Sequence, residues 1–485
     1  MQLWLVMQKV HISWIVAVFS GAFVVGVMLA QQNWAIYFGQ LTWLLVGLIC
    51  AGVIMWKRTV VVIPLVIIAG MLLGLWRGVS MHAQLSVYRE IQGAYRTVTG
   101  TVTDDPDIGK RGETILRLGA IVVDGRRVAG GIWVSAAHHA EIRRSDIVTV
   151  EGQISPGFGS FGAAMYRARV DTVQRPEPGD VALQVRDWFA GNVRKAINEP
   201  QVSLGLGYLL GLRRALPPEL DQALVVAGLT HVVVASGYNL TILVRLARRL
   251  FVKVSKYLAV LSAGTMIVAF IAVTGMSPSM SRAGLVAGLS LAAWYYGRKF
   301  HPLVLLPFAA AVTVAVNPAY AWNDLGWQLS FAAFAGVMVL APLLQRYFYG
   351  DKKPGVIRQI LGETISATIV TAPILMLAFG QLSNVAVFAN LLILPLVPLA
   401  MLLTFIAGIG SLVVPASAEF IGLPAELLLT YMTATAQYFA SLPWAQTTVQ
   451  VQGWAVWIMY SAIIGVCVYL WRATKYDLAQ SNIVE

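Results

Sequence analysis

Charge is what this sequence has least of. Only 12% of its 485 residues are Asp, Glu, Lys or Arg, while 58% are hydrophobic. Soluble domains carry about 25% charged and 45–50% apolar residues, so a globular enzyme of this length is excluded. Cysteine is nearly absent. Cys50 and Cys467 are the only two, each inside an apolar run. That excludes a disulfide framework and a thiolate zinc site and leaves two small buried hydrophobes. The six histidines form no His-x-His-x-Asp-His cluster, and His138-His139 has no group of carboxylates or thiolates around it. No metal and no cofactor is therefore expected. There is no Gly-rich Walker loop, no His-Glu-x-x-His and no Gly-x-Ser-x-Gly, the motifs that would mark ATP hydrolysis or common hydrolases. No catalytic residue is assigned, and the chain is not expected to be an enzyme.

Apolar runs are what the sequence has in excess. A helix crosses a hydrocarbon core with about 17–25 residues. Twelve apolar segments read as membrane helices: 12–30, 40–56, 60–76, 231–249, 257–274, 280–297, 302–317, 325–344, 361–379, 384–398, 399–415 and 454–471. The first begins near Ile12 and has no small-residue cleavage site followed by a mature domain, so it reads as a retained helix. Pro395 and Pro398 interrupt 384–415, which predicts two short helices or a re-entrant pair. The stretches 203–228 and 418–441 are apolar but broken by Pro and charge, and they predict amphipathic helices at the membrane surface.

The formal net charge is +12, a balance that often marks nucleic-acid binding. Its distribution points first to topology. Lys9, Lys57, Arg58, Arg245, Arg248, Arg249, Lys253, Lys256, Arg298, Lys299, Arg346, Lys352, Lys353, Arg358, Arg472 and Lys475 fall on alternate loops, while 31–39, 275–279, 318–324 and 380–383 have no Lys or Arg. Basic loops stay cytoplasmic. Both termini are thus expected inside, with the long insert after residue 76 outside. The insert itself holds nearly equal numbers of acids and bases.

From Thr97 the texture changes to short β-rich runs at 97–104, 113–123, 127–136, 146–154 and 166–174. Asp124-Gly125 signals a hairpin. Five strands in so short a span fit a small OB-like β-barrel. Such barrels bind single strands with aromatic platforms and basic grooves. The candidates are Trp133, Phe158, Phe161 and Tyr166 with Arg126, Arg127, Arg143, Arg144, Arg167 and Arg169. Against that reading, the arginines alternate with acids, and Trp133 is placed mid-strand, where core packing is expected. Residues 181–198 carry a helical apolar stripe through Trp188, Phe189, Val193 and Ile197.

The remaining chain holds polar residues where they are costly. An ionisable group at the centre of a membrane helix costs about 2.5–3.5 kcal/mol and marks a water-filled path or a partner. Arg282 is the only basic residue between Lys256 and Arg298, and a guanidinium there stays charged and suits phosphate. Pairing with Asp324 is the plainer alternative. Asp324 and Gln328 are four residues apart, hence on one helix face, although Asp324 also suits a helix N-cap. His231, Ser236 and Asn239 interrupt an apolar run, and Ser236-Gly237 predicts a helix break of the kind that builds transport sites, or else tight packing at Gly237.

Three stretches together resemble the ComEC family of competence proteins. They are His231 with Ser236-Gly237-Tyr238-Asn239, then Pro278-Ser279-Met280-Ser281-Arg282-Ala283, then Asn317-Pro318 through Asp324 to Gly326-Trp327-Gln328-Leu329-Ser330-Phe331. The resemblance spans about 60–420. Asn239 stands where the family has a second histidine. The metallo-β-lactamase-like domain that many members carry has no counterpart motif here. The resemblance implies a polytopic helical protein of the bacterial cytoplasmic membrane, with a membrane segment at 1–76, an outer OB-like domain at 77–180, amphipathic linker helices at 181–230, a channel domain at 231–475 and a cytoplasmic tail at 476–485. It implies uptake of single-stranded DNA in natural transformation, with His231, Ser236, Gly237, Tyr238, Asn239, Arg282, Asp324, Gln328 and Ser330 along the path. The expected partners are single-stranded DNA, membrane lipids, an external DNA receptor, a separate nuclease and a cytosolic motor or single-strand-binding protein. Two alternatives remain open at this point. One is a secondary transporter for a smaller anion. The other is a membrane enzyme acting on a lipid-linked or polymeric substrate, for which Asp324 with His231 is the pair to test.

Overall fold

The computed structural model describes residues 10–56, 60–109, 111–137, 142–212, 216–233, 237–298, 301–350 and 354–476. His138, His139 and Ser236 lie outside the described residues. The chain divides into two compact units. One holds residues 1–180, 276–278 and 303–328; the other holds 181–275, 279–302 and 329–485.

In the first unit, helices Ile12–Leu29 and Ile63–Leu85 pack with their backbones nearly touching. The reason is Gly70, Gly74 and Gly78, one helical turn apart. A Cβ at Gly74 would overlap the carbonyl oxygen of Phe23, and one at Gly78 would overlap the Cβ of Ala30. Small residues at this spacing let membrane helices approach closely. Arg77, on the same helix, donates from Nε and Nη2 to the carbonyls of Ala315 (2.9 Å) and Val316 (3.0 Å). Those carbonyls end helix Pro302–Val316, where a cation complements the helix dipole. The segment Asn33–Gly39 is a 3₁₀ turn set at 74° to the following helix.

The same unit carries the barrel. Its strands are β1 (Tyr95–Val102), β2 (Asp107–Ile108), β3 (Thr114–Val123), β4 (Arg126–Arg127), β5 (Ile132–Ala136), β6 (Ile147–Pro156) and β7 (Ala163–Gln174). The sheet order β1-β6-β7-β5-β3 is closed by β1 pairing with β3, and β5–β7 is the one parallel contact among these pairs. Alternation puts Val98, Val102, Leu116, Leu118, Ile132, Val134, Val148, Val150 and Met165 inside. Asp124 and Gly125 both have positive φ (47° and 79°) between β3 and β4, as a type I′ turn requires.

The second unit is helical. Its largest core joins Val181–Ala196, Gln201–Leu210, Pro218–Val226, Ala386–Ile393, Val397–Val413 and Ala418–Ala440. Two expectations are corrected here. Helix Gln201–Leu210 is buried from Val202 to Leu209, so it is a core helix and not a surface one: its residues are small or apolar on every face. The run Ala386–Val413 holds two helices, Ala386–Ile393 and Val397–Val413, joined by a 3₁₀ turn as the prolines suggest, but together they make one stretch long and apolar enough for a single crossing where two segments were expected. Pro395 and Pro398 occupy early positions of a 3₁₀ turn and of the next helix, where proline's missing N–H costs nothing. Strand β8 (Gln381–Ser383) pairs with β9 (Gln446–Thr448), so the helical chain between them returns to its starting point.

Among the described residues, seven helices are long and apolar enough to cross a membrane, or eight if the bent pair near Asn33–Gly52 counts as one span. Twelve were expected. Pro302–Val316 and Gly237–Phe251, at 15 residues each, are shorter than the sequence runs suggested. This is a membrane protein with a barrel domain.

Candidate functional site

Arg282 lies in helix Pro278–Tyr295, in its first turn and a half. Pro278 opens the helix, and Met280 and Ala283 are buried on its inner face. The guanidinium is carried inward with them and is 9% exposed. Its Cζ sits 5.4 Å from the centroid of the Phe331 ring. Its Nη2 donates to Ser279 Oγ at 3.5 Å, and Ser279 Oγ is 3.5 Å from Ser330 Oγ. Both distances are at the weak end of hydrogen bonding. Nη1 has no hydrogen-bond partner among the described residues. A cation with this much desolvation and this little compensation calls for an anion or water.

Gly237 closes the site from a third helix. A Cβ there would stand 3.2 Å from Ala283 Cβ and 4.0 Å from Arg282 Nη2. The chain forms a short helix, Thr230–Val233, and another from Gly237 to Phe251; the expected helix break at Ser236-Gly237 involves residues 234–236, which lie outside the described residues. Asn239 explains how the second helix is held. It is fully buried and donates from Nδ2 to the carbonyls of Tyr208 (3.1 Å) and Val232 (3.3 Å). A histidine could not donate both bonds from one nitrogen. Asn239 is therefore a fastening residue. Tyr238 is exposed, with its hydroxyl donating to Leu394 O at 3.3 Å. His231 is exposed as well.

Asp324 and Gln328 belong to the first unit, and their roles are local. Asp324 Oδ1 accepts from Trp327 N at 2.8 Å, which caps helix Leu325–Ala335. Gln328 Nε2 turns back to Trp322 O at 3.2 Å. Asn317 Oδ1 caps the preceding short helix through Ala319 N. Much of the third motif is thus a double-capped turn, and its Ser330 and Phe331 reach the arginine. The sequence pointed to Ser330 but not to Phe331, whose signal was an aromatic next to a polar residue within an apolar run. Ser279 stood in a quoted motif and was likewise missed as a contact.

The barrel arginines separate into two groups. Arg144 is buried, and its Nε and Nη2 both lie 2.7 Å from Asp180 Oδ2. That guanidinium is committed to the fold. Arg126, Arg127, Arg143, Arg167 and Arg169 are exposed. Around them Arg96 pairs with Asp124 and Arg169 with Asp171, so this surface alternates in sign. Trp133 is half-buried on the outer face and not in the core.

Residues from three separated stretches, at 237, 279–283 and 330–331, thus meet around one cation. Those stretches fall inside a longer match: a family model described as Competence protein covers residues 208–474. The chain belongs to the competence protein family. No curated protein and no solved structure matches it. Membership ties the protein to DNA uptake at the level of the family.

Proposed function

We propose that this competence protein passes single-stranded DNA across the bacterial cytoplasmic membrane, with Arg282 as a phosphate-contacting group on the path. The observation that carries this reading is the convergence of three motifs on a buried guanidinium whose Nη1 has no hydrogen-bond partner among the described residues. A DNA backbone presents one negative charge per nucleotide, and a guanidinium meets phosphate in a planar fork. The Phe331 ring holds that fork flat while leaving an edge open. The alternating basic loops support cytoplasmic termini and an outer barrel. The barrel's closed strand order with one parallel contact supports an OB-type assignment. In this reading the protein is a conduit and not an enzyme. An external receptor, a nuclease and a cytosolic motor or single-strand-binding protein act with it as separate chains.

The test is uptake of labelled DNA by cells lacking the protein, rescued by wild type, Arg282→Ala or Arg282→Lys at matched membrane levels. Wild type restores protected cytosolic DNA, and Arg282→Ala does not. Rescue by Arg282→Ala at wild-type level refutes the role of the site. Uptake that persists without the protein refutes the conduit. Transport of a smaller anion is the second reading, favoured by Arg282 being the sole charged residue of its helix. Anion flux into vesicles containing the purified protein, undiminished by single-stranded oligonucleotide, would favour it.

A further inference from the structure

We propose that Trp133, Phe158, Phe161 and Tyr166 form a seat by which the barrel rests in the headgroup layer of the lipid bilayer. The four rings are contiguous. Trp133 lies 5.4 Å from Phe158 and 5.3 Å from Tyr166 between centroids, and Phe158 lies 5.7 Å from Phe161. Phe158 is 46% exposed and Tyr166 54%. An exposed aromatic group of this size marks an interaction surface.

Its position within the first unit indicates which surface. The glycine-rich loop that carries Phe158 and Phe161 is folded onto the ends of the membrane helices. Gly159 stands beside the carbonyl of Asn323, which precedes helix Leu325–Ala335, and a Cβ at Gly162 would press on Tyr88 and Leu85. Leu85 is the last residue of helix Ile63–Leu85. Two turns back on that helix, Val79 packs against Gly39. Gly39 ends the segment in which Trp34 and Tyr37 are exposed and Phe38 meets Trp43. Exposed Trp and Tyr at helix ends mark the membrane interface. Six residues of helix rise about 9 Å, and each headgroup layer is about 5–7 Å deep. With the tilt of about 20–40° that membrane helices adopt, the rise along the bilayer normal is about 7–8.5 Å, which sets the barrel's rings at the water-facing limit of the headgroup layer.

The charges near the rings fit lipid better than DNA. Arg117, directly across from Trp133 on β3, is paired with Asp107 at 3.1 Å, and Arg169 is paired with Asp171. Phe158 and Phe161 bring no polar atom. Exposed Arg167, next to Tyr166 at a left-handed backbone position (φ 54°), gives one cation for a lipid phosphate. It does not make a groove lined with positive charge, as single-stranded DNA requires.

The experiment uses the full chain with Cys50→Ala, Cys467→Ala and a single spin-labelled cysteine, Phe158→Cys, in phosphatidylcholine–phosphatidylglycerol vesicles. Phe161→Cys serves as a second reporter, and Ile108→Cys is the water-exposed control. Ile108 is 73% exposed and pairs with Thr114 at the first residue of β3, whereas the loop packs beside Gly131, next to Leu118 in mid-strand. The seat predicts that oxygen relaxes the labels at 158 and 161, while an aqueous nickel chelate reaches them several-fold less than it reaches 108. Equal nickel access at all three positions overturns the proposal. Adding a single-stranded oligonucleotide leaves the spectra at 158 and 161 unchanged if lipid occupies the patch. Immobilisation of the labels by the oligonucleotide overturns it in favour of a DNA platform.

Discussion

The guanidinium of Arg282 lies over the ring of Phe331, with 5.4 Å from Cζ to the ring centroid, and the two residues come from stretches 49 positions apart. A desolvated cation–π contact contributes about 0.5–2 kcal/mol, which orients the fork more than it anchors it. Phe331→Leu keeps the volume and removes the quadrupole. Transformation frequency at matched protein levels is expected to fall by about 2- to 30-fold, less than for Arg282→Ala. Arg282→Lys restores charge without the planar fork and is expected between the two.

Gly237 sets the distance between the helix that begins there and the helix of Arg282. Its would-be Cβ meets Ala283 Cβ at 3.2 Å, so Gly237→Ala requires a shift of a few tenths of an ångström. Gly237→Val drives the helices apart, and overpacking of this kind costs about 1–3 kcal/mol. Thermal unfolding of detergent-purified protein is expected to separate the two variants, with Val the lower.

Asn239→Leu removes both bonds to the carbonyls of Tyr208 and Val232. Leaving buried acceptors unpaired costs about 1–3 kcal/mol each. The same unfolding measurement is expected to show a loss, and Asn239→His a smaller one, because an imidazole can still serve one carbonyl.

In the barrel, Arg144→Ala removes the guanidinium, 6% exposed, from Asp180, which keeps the weaker bond from Ser145 Oγ at 3.3 Å. Breaking a buried ion pair from one end costs about 3–5 kcal/mol. Arg169→Ala, on an exposed pair, changes stability by less than about 1 kcal/mol. Limited proteolysis of the whole protein between residues 95 and 180 is expected to accelerate for the first variant and not for the second.

On the membrane side, Gly74→Ala is expected to lower both membrane level and unfolding temperature, because its Cβ meets the Phe23 carbonyl. Gly21→Ala, with nothing within 4 Å of the new atom, is expected to leave both unchanged. Immunoblotting of membranes and thermal unfolding check the pair together.

The barrel was legible because its signals are local. Alternation fixes a strand's two faces, and Asp124-Gly125 fixes a turn without reference to anything distant. The apolar runs were legible as helices for the same reason. Misreadings came where a neighbour decides the outcome. Pro395 and Pro398 look like a boundary between two crossings until their places in the first turns are known. Gln201–Leu210 looks like a surface helix until the core around it is seen. The candidate site shows the same division. Arg282 stood out because a lone cation in an apolar run is expensive. Asp324 and Gln328 stood out equally, but their partners are backbone groups a few residues away, which spacing on one helix face does not reveal. Phe331 was hidden because an aromatic in an apolar run carries no signal until the cation it faces is located.

The glycine ridge at 70, 74 and 78 has a mechanical consequence. A contact made of backbone against backbone has no rotamers to exchange and no soft side chain to compress. Helices Ile12–Leu29 and Ile63–Leu85 are joined there as one stiff strut, and the second of them runs on through Tyr88 into the barrel's first strand. A pull on the barrel is then carried by main chain into the bilayer, with little slack along the way.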